Sequence, residues 1–191
     1  MFRTLTLLVA CFSISVIALA QQNADRPLLI SRVSINQTHI AFTYAGKIWL
    51  VERTGGAAKR LTNTPNDETS PVFSPDGRRI AFSRLNGNDW DLFVAQADGS
   101  GEPARVTMMP EDDIGTSWSP DGKEIIFETT RDEESVTRLY KTSADRLALA
   151  TALPLHQSFS GSMSPDAGSI VYNPRSGTDD WRYYRGGFAA P

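Results

Sequence analysis

The segment FSPDGRRIAF, residues 73–82, contains the turn and the strand start that decide the fold. Its proline fixes φ at the first turn position, its aspartate hydrogen-bonds back to the local backbone, and its glycine tolerates the left-handed conformation that closes such a turn. After the turn, Ile80 and Phe82 alternate with Ala81 and Ser83 at period two, which gives one large apolar face and one small or polar face. The segment therefore predicts a β-hairpin.

The same segment recurs at a constant interval. WSPDG at 118–122 and MSPDA at 163–167 follow at spacings of 45 and 45 residues, each with an apolar triplet at the same offset, and a weaker copy, VSINQ at 33–37, lies 40 residues upstream. In the last strong copy Ala167 replaces the turn glycine. That replacement costs on the order of 1 kcal/mol if the position stays left-handed, unless Gly168 takes over the role.

Each copy continues in a way that predicts a four-stranded antiparallel sheet. An aromatic-bearing strand follows the triplet in the first three units, and in the first two a Gly-rich turn and a short Arg-x-Thr strand come next. In the best-formed unit we expect strands near 70–74, 79–84, 90–95 and 103–107. Four short strands in about 40 to 45 residues is the period of a β-propeller blade. The sequence predicts an all-β propeller with blades near 28–62, 70–107, 114–153 and, incomplete, 159–191.

The overall composition agrees with stacked sheets. With 40% hydrophobic and 21% charged residues, the 191-residue chain resembles an ordinary globular protein. Armadillo and HEAT repeats have a similar period but need amphipathic helices, which the Pro, Gly and β-branched content opposes. The formal charge of −3 provides no basic field for sequence-independent binding of nucleic acid. Nucleic acid is therefore not expected as a partner.

The start of the chain differs from the rest. After Arg3 it is almost continuously apolar and ends in Ala18-Leu19-Ala20, which is typical of a cleavable secretory signal peptide over residues 1–20. We expect a short linker over 21–27 and no membrane span after cleavage. Cys11 is the only cysteine, so the mature protein would contain no disulfide, thiolate nucleophile or Cys-based metal site. Lipoprotein anchoring at Cys11 is the alternative left open.

These motifs resemble known propeller families. Ser-Pro-Asp-Gly followed by Ile-Ala-Phe is similar to the PD40 or TolB-type repeat, a relative of WD40 without its Gly-His and Trp-Asp signatures. More narrowly, AGKIWLV at 45–51, GGAAKRLT at 55–62 and WRYYRGG at 181–187 resemble the amino-terminal propeller of tricorn-type serine proteases of peptidase family S41. The resemblance covers about Leu28 to Gly187.

The resemblance implies a setting for this propeller. In tricorn-type proteases a six-bladed propeller precedes a seven-bladed one, a PDZ-like module and a serine-peptidase core. The nucleophile would then lie downstream of Pro191, and no catalytic residue of the family carries over to this chain. The propeller channel would gate or filter peptide substrates and products, in contact with the downstream domains. Because the archaeal type member is intracellular and this chain has an export signal, a periplasmic or extracytoplasmic bacterial relative fits better.

Two other functions remain open. A free-standing TolB-like propeller would dock periplasmic proteins on its faces and channel, in a chain that closes after two or three more blades. The propeller of a prolyl-oligopeptidase-type enzyme would need a Gly-x-Ser-x-Gly nucleophile elbow, which does not occur here. Since the fourth unit stops before its outer strands, the chain looks truncated, and the uncovered sheet predicts self-association of residues 21–191 into homo-oligomers.

The two histidines do not indicate catalysis. His156 lies near Ser158, Ser160 and Ser162, but nothing nearby supplies the oriented base and oxyanion hole of a triad. We predict a polar loop leading into the fourth blade. His39 occupies a variable turn position and is expected to be solvated.

Other conspicuous side chains are also assigned structural roles, and no catalytic, cofactor-binding or metal-binding residue is predicted. The acidic runs 111–113 and 132–134 lack the spaced ligands and turn glycine of a calcium loop and are expected to be solvated. The turn aspartates are expected to close hairpins, and these are Asp76, Asp121 and Asp166. Aromatic residues are expected to pack between blades, with ligand recognition as the weaker alternative for Trp49, Phe93, Tyr140, Trp181, Tyr183, Tyr184 and Arg185.

Overall fold

The described part of the chain consists of antiparallel β-sheets. The computed structural model describes residues 29–131, 136–155 and 157–174. These residues form three four-stranded sheets and one two-stranded sheet, and within them no helix occurs that could cross a membrane. The predicted all-β architecture of four-stranded blades is confirmed. The leader with Cys11, the acidic run 132–134, His156 and the 181–187 motif lie outside the described residues.

The strands are named in chain order and grouped by blade. Blade 1 contains β1 (Ile30–Ile35), β2 (His39–Tyr44), β3 (Lys47–Glu52) and β4 (Lys59–Arg60). Blade 2 contains β5 (Glu68–Phe73), β6 (Arg79–Asn86), β7 (Asp89–Gln96) and β8 (Ala104–Arg105). Blade 3 contains β9 (Ile114–Trp118), β10 (Glu124–Thr129), β11 (Arg138–Ser143) and β12 (Thr151–Ala152). Blade 4 is represented by β13 (Ser158–Met163) and β14 (Ile170–Pro174).

The outer strand of blade 2 is shorter than predicted. Strand β8 has only two residues, although the repeat suggested a strand over 103–107. Beyond it, the Val106 amide still donates to the Leu92 carbonyl at 2.9 Å, but the Leu92 amide donates to the Thr107 hydroxyl at 2.9 Å. A side chain thus satisfies a backbone donor where a longer strand would otherwise be needed.

The hairpin turns are built as the sequence predicts. The Ser74 hydroxyl donates to Asp76 Oδ1 at 2.6 Å, and the same oxygen accepts the Arg78 amide at 3.1 Å. The Gly77 backbone is left-handed, with φ of 70°. The equivalent serine and aspartate are joined in the next two turns, at 2.6 and 2.5 Å. The turn-closing role of the three aspartates is confirmed.

The turn of blade 4 keeps the left-handed conformation without glycine. Ala167 has φ of 57°, and its amide donates to the Ser164 carbonyl at 2.9 Å, as Gly122 does to Ser119. The expectation that Gly168 could take over was wrong, because the hydrogen bond that closes the turn fixes residue 167 itself in that conformation. The fourth turn therefore bears the cost of a Cβ at positive φ.

At the first two junctions the later blade packs a large apolar face against a smaller apolar face of the earlier blade. In blade 2, Phe82 and Phe93 belong to the cluster shared with Ala41, Ile48 and Leu61 of blade 1. The opposite face contributes to a second cluster, shared with blade 3, through Ala81, Leu92, Val94 and Val106. Period-two alternation along β6 and β7 thus supplies both faces, and the sheet is covered on both sides.

The outward face of blade 1 has no covering blade among the described residues. On blade 1, β1 exposes Val33 and Ile35 at 55% and 58%. On the same blade Trp49 is half-buried and meets Tyr44 edge to face at 6.2 Å, so the interblade packing that was predicted for Trp49 is not seen, whereas Phe93 and Tyr140 are buried between blades.

Replacing Ala167 by glycine should raise the free energy of unfolding by about 1 kcal/mol, because glycine adopts the left-handed conformation without a Cβ penalty. Urea unfolding of the chain measures the change. The matched control is Gly122→Ala, at φ of 70°, where an added Cβ approaches no atom closer than 3.8 Å and only the backbone conformation is penalised. If the urea midpoint is unchanged for Ala167→Gly but lowered for Gly122→Ala, the conformational cost assigned to Ala167 is contradicted.

The turn aspartates predict acid sensitivity. Hydrogen bonds from the turn serines, and next from backbone amides, hold the pKa of Asp76, Asp121 and Asp166 below the usual 3.8. Their stabilising contribution is complete above the unfolded-state pKa and is lost as pH falls through the lowered folded-state pKa. The free energy of unfolding should fall below about pH 4. Asp121→Asn keeps an acceptor oxygen but does not titrate, so its free energy of unfolding, measured in urea, should fall less steeply with decreasing pH. An identical slope for the variant and the unchanged chain would contradict the assignment of this acid sensitivity to the turn aspartates.

Candidate functional site

The first strand of each blade is its inner strand, and the four inner strands, β1, β5, β9 and β13, meet along one groove. Strand β1 contacts β5, β5 contacts β9, and β9 contacts β13. Two side-chain bonds tie neighbouring inner strands together, since Ser34 Oγ accepts the Phe73 amide at 3.1 Å and Trp118 Nε1 donates to the Val72 carbonyl at 2.9 Å. The groove that they enclose has a volume of about 210 Å³, and we call it the axial groove. It is lined by Arg32, Val33, Ser70, Pro71, Val72, Ile114, Gly115, Thr116, Glu128, Ser160, Gly161 and Ser162.

Every inner strand is bulged where it lines the axial groove. The ladder register shifts between Ser31 and Ser34 in blade 1, and at the corresponding place in blades 2, 3 and 4. Three bulge residues are left-handed without being glycine, with φ of 50°, 54° and 52° at Arg32, Ser70 and Ser160. A bulge leaves a residue out of the ladder, which frees its main-chain groups to bond elsewhere. Proline is tolerated at Pro71 for the same reason.

At the second and third junctions a side chain from the preceding blade accepts the bulge amide, whereas at the first junction the equivalent Thr43 hydroxyl is buried without a hydrogen-bond partner among the described residues. Ser83 Oγ accepts the Gly115 amide at 3.2 Å and donates to the Asp113 carbonyl at 2.9 Å. One repeat later, 45 residues on, Glu128 Oε2 accepts the Ser160 amide at 3.1 Å. The small buried serine of blade 2 is thus replaced in blade 3 by a longer, charged and half-buried side chain.

Two charged side chains belong to the lining of the axial groove. Arg32 is exposed and, within the described residues, its guanidinium makes no hydrogen bond or ion pair. Glu128 uses Oε2 for the Ser160 amide, while Oε1 accepts no hydrogen bond from that same part of the chain. The groove therefore presents one cation and one carboxylate oxygen that are available to a ligand.

A second set of charged residues holds the blades together away from the groove. Glu68 is fully buried and accepts from Arg84 Nε and Nη2 at 3.1 and 3.0 Å, and from the Thr62 hydroxyl. The Arg84 guanidinium also lies over the rings of Phe82 and Phe93, 5.4 and 4.3 Å from their centroids. Glu68 begins strand β5 of blade 2, and Thr62 follows strand β4 of blade 1, so the cluster links these two blades.

The next junction repeats this cluster. Asp113, 45 residues after Glu68, is fully buried and accepts from Arg131 Nη2 at 2.5 Å, while Arg131 lies 5.3 Å from the ring centroids of Phe127 and Tyr140. Burial raises the pKa of Asp113 against the lowering effect of Arg131. The prediction of a solvated loop for 111–113 was wrong for this residue. The 45-residue correspondence with Glu68 was the signal that could have found it.

The third junction replaces the acid and the threonine together. Ser158 stands 45 residues after Asp113, and Ala152 stands 45 residues after Thr107. Ser158 is fully buried, and its hydroxyl accepts the Leu139 amide at 3.1 Å, the bond that Thr107 makes to Leu92 one blade earlier. Ser158 thus occupies the position of the acid and accepts the kind of backbone amide that the threonine accepts one blade earlier.

The serines near His156 are parts of a strand. Ser158, Ser160 and Ser162 belong to β13, the first strand of blade 4, so the polar loop that was predicted to lead into this blade ends before Ser158. Ser158 is buried at the blade junction, whereas Ser160 and Ser162 are exposed in the axial groove. His39 is half-buried at the start of β2, with Nδ1 2.9 Å from the Thr38 hydroxyl. The structure does not bring these serines together with His39.

Larger hollows lie elsewhere, and only blades 1 and 2 contribute to them. Two grooves of about 500 and 350 Å³ lie between the outer part of blade 1 and the β7–β8 turn of blade 2, and they share Arg60, Leu61 and Gly99. Among the described residues no group of three or more His, Cys, Asp or Glu could hold a metal ion. The axial groove, to which all four blades contribute, is the candidate functional site.

The comparisons with known proteins agree on the propeller. A family model described as the tricorn protease N-terminal beta propeller domain matches residues 27–191. Among curated proteins, the Tol-Pal system protein TolB of Nitratidesulfovibrio vulgaris is 35% identical over 54 residues, which are 26% of this chain and 12% of that protein.

Solved structures show the same fold at low identity. Putative TolB from Agrobacterium tumefaciens has a TM-score of 0.60 at 22% identity, over 72% of this chain and 53% of that one. The tricorn protease has a TM-score of 0.52 at 24% identity, over 61% of this chain and 12% of that one. The β-propeller domain of the Trilobed protease from Pyrococcus furiosus has a TM-score of 0.56 at 18% identity, over 74% of this chain and 47% of that one. The chain spans about half the length of these relatives or less.

The buried acids should matter far more to stability than an exposed one. Glu68→Ala removes the partner of a nearly buried arginine, and we expect the free energy of unfolding to fall by about 3 kcal/mol or more. The control Glu124→Ala removes a partly exposed carboxylate, paired with Lys141 at 3.0 Å, and should cost less than about 1 kcal/mol. Urea unfolding of both variants tests this; equal losses would contradict the role assigned to Glu68.

Proposed function

The chain belongs to the family of tricorn protease N-terminal β-propeller domains, and from this premise we propose that it is the non-catalytic propeller of an exported tricorn-like serine peptidase, which gates or filters peptides through its axial groove. The observation that carries the proposal is the lining of that groove. Four bulged strands place hydroxyls, main-chain groups, one cation and one carboxylate around a single opening. Such a wall suits an extended peptide, whose own main chain offers donors and acceptors at every residue.

The groove also fits a passage better than a reaction centre. Its two exposed serines, Ser160 and Ser162, have no histidine in the lining that could act as their base. The catalytic step would belong to a peptidase core elsewhere in the parent protein. In this proposal the propeller has about six blades, of which the described residues supply about three and a half.

The apolar leader supports an extracytoplasmic location for the parent protein. The similarity to TolB proteins points in the same direction. Residues 1–20 would direct export and be removed, with lipidation at Cys11 as the less favoured route.

A second candidate function is a free-standing TolB-like propeller that docks proteins. The observation that favours it is the stretch of 54 residues that is 35% identical to a TolB protein. The coding sequence beyond Pro191 separates the candidates. A PDZ-like module and a serine-peptidase core there would support the first function, and a stop after two or three further blades would support the second.

Disulfide trapping tests whether peptides enter the axial groove. After removal of the leader the chain has no cysteine, so Ser162→Cys introduces a single thiol in the groove, and Thr54→Cys introduces one on the exposed β3–β4 turn, outside the described grooves, as the control. Incubated with short cysteine-containing peptides in a glutathione buffer, the Ser162→Cys variant should retain several times more peptide, as measured by intact-protein mass spectrometry. Equal trapping at both positions would contradict peptide passage through the groove.

The chain alone should show no peptidase activity above background. A fluorogenic peptide assay measures this directly. Sustained cleavage that is abolished by Ser160→Ala or Ser162→Ala would contradict the non-catalytic assignment and would turn the groove into an active site.

A further inference from the structure

The tip of the β6–β7 hairpin in blade 2 carries the one Asn-Gly pair of the sequence. Asn86 ends strand β6 and pairs with Asp89 across a two-residue turn made of Gly87 and Asn88. Gly87 is left-handed, with φ of 76°, and a Cβ added there would meet no atom within 4 Å. All three residues from 86 to 88 are exposed. The tip is therefore open to water, and at residue 87 no side chain restricts the backbone.

An asparagine that precedes glycine can lose its side-chain amide without an enzyme. The main-chain nitrogen of Gly87 attacks Cγ of Asn86, a succinimide ring forms, and the side-chain nitrogen leaves as ammonia together with the proton of the attacking amide. Water then opens the ring at either of its carbonyl groups, which gives aspartate or isoaspartate. Within the described residues the Gly87 amide donates no main-chain hydrogen bond, so the fold does not hold the attacking nitrogen.

This reaction would destroy a hydrogen bond to a buried acid. Asn86 Nδ2 donates to Oδ2 of Asp91 at 3.3 Å, and Asp91 is only 1% exposed. The same oxygen accepts Arg105 Nη2 at 2.7 Å, so Asn86 is the second donor to it. Deamidation replaces the donor by a carboxylate that stands beside the carboxylate of Asp91. The two negative charges repel each other more strongly than in bulk water, because one of them is buried.

The hairpin tip is tied to the loops on both sides of blade 2. On strand β6, the Leu85 amide donates to the Asp67 carbonyl at 2.8 Å, and the Leu85 carbonyl accepts Asn66 Nδ2 at 2.8 Å. On strand β7, the Trp90 amide donates to Asp112 Oδ1 at 3.0 Å. An isoaspartate adds one carbon atom to the main chain within the tip. The tip then no longer fits both loops at once.

We propose that Asn86 is a site of spontaneous deamidation, and that its conversion to aspartate or isoaspartate loosens the hairpin tip of blade 2 from the two loops beside it. The reaction needs only water. Other exposed asparagines are followed by residues with side chains, since Thr64 follows Asn63 and Asp89 follows Asn88. Asn86 does not line the axial groove, so this modification does not depend on the proposed function.

Ageing the folded chain in mildly alkaline buffer, followed by peptide mapping with mass spectrometry, tests the site. Deamidation should proceed several-fold faster at Asn86 than at the exposed Asn63 and Asn88, which serve as internal controls. Asn88→Gln should leave the rate at Asn86 unchanged. If Asn63 or Asn88 reacts as fast as Asn86, or if Asn86 stays intact while they react, the assignment of the site is overturned.

Amide hydrogen exchange of the aged chain tests the loosening. Exchange should accelerate several-fold at the Leu85 amide and remain unchanged at the Ala97 amide, which bonds the Arg78 carbonyl at the opposite end of the same two strands. An aged Asn86→Gln chain should keep slow exchange at Leu85, because glutamine does not form the succinimide. Unchanged exchange at Leu85 in the deamidated chain would overturn the loosening.

A pair of substitutions tests the charge effect without ageing. Asn86→Asp places a carboxylate beside Asp91 and should lower the thermal unfolding midpoint. Asn88→Asp adds the same charge to the same turn, but Asn88 makes no hydrogen bond to Asp91, so the midpoint should shift less. Equal shifts for the two variants would overturn the role assigned to the contact with Asp91.

Discussion

The structure depends on one constraint, which is that a four-stranded sheet with two apolar faces must be covered on both. Strands of period two produce a large aromatic face, with Phe82 and Phe93 in blade 2, and a smaller face with Ala81 and Leu92. Stacking the large face of one blade on the small face of the blade before it satisfies both. Because each sheet is twisted and contacts its neighbours most closely along the inner strands, the stack curves around an axis. The axial groove is a consequence of that stacking.

Polar residues fix the stacked blades in place. The same device, a buried acid paired with an arginine that lies on two aromatic rings, recurs at the first two junctions with Glu68 and Asp113. Breaking such a pair leaves an isolated buried charge, so the acid and its partners are constrained together. The third junction replaces acid and threonine at once, and Ser158 caps the backbone amide that would otherwise lose its acceptor. In the axial groove, by contrast, a charged side chain stands where a hydroxyl would be enough, since Glu128 accepts a bulge amide as the smaller Ser83 does one blade earlier.

The repeat was sufficient to predict the blades, because turn chemistry and period-two alternation are local properties of the sequence. The Ser-Pro-Asp turns and the strands of blade 2 follow from residues that are close in the chain. The bulges do not, since the conformation of Ser70 and Ser160 depends on inner strands that meet only when the blades are stacked. The burial of Asp113 was missed for a similar reason, because a run of three acids looks solvated until the distant Arg131 is placed beside it. The candidate site is made almost wholly of such non-local features.

The most direct test of nearest-neighbour stacking is amide hydrogen exchange in a Phe82→Ala variant. Phe82 is fully buried against blade 1, so its loss should uncover that junction and leave the junction between blades 3 and 4 unchanged. Exchange should accelerate at the Leu61 amide, which bonds Ile48, and remain unchanged at the Leu153 amide, which bonds Leu139. Equal acceleration at both amides would contradict the account, because it would show that the blades unfold as one unit.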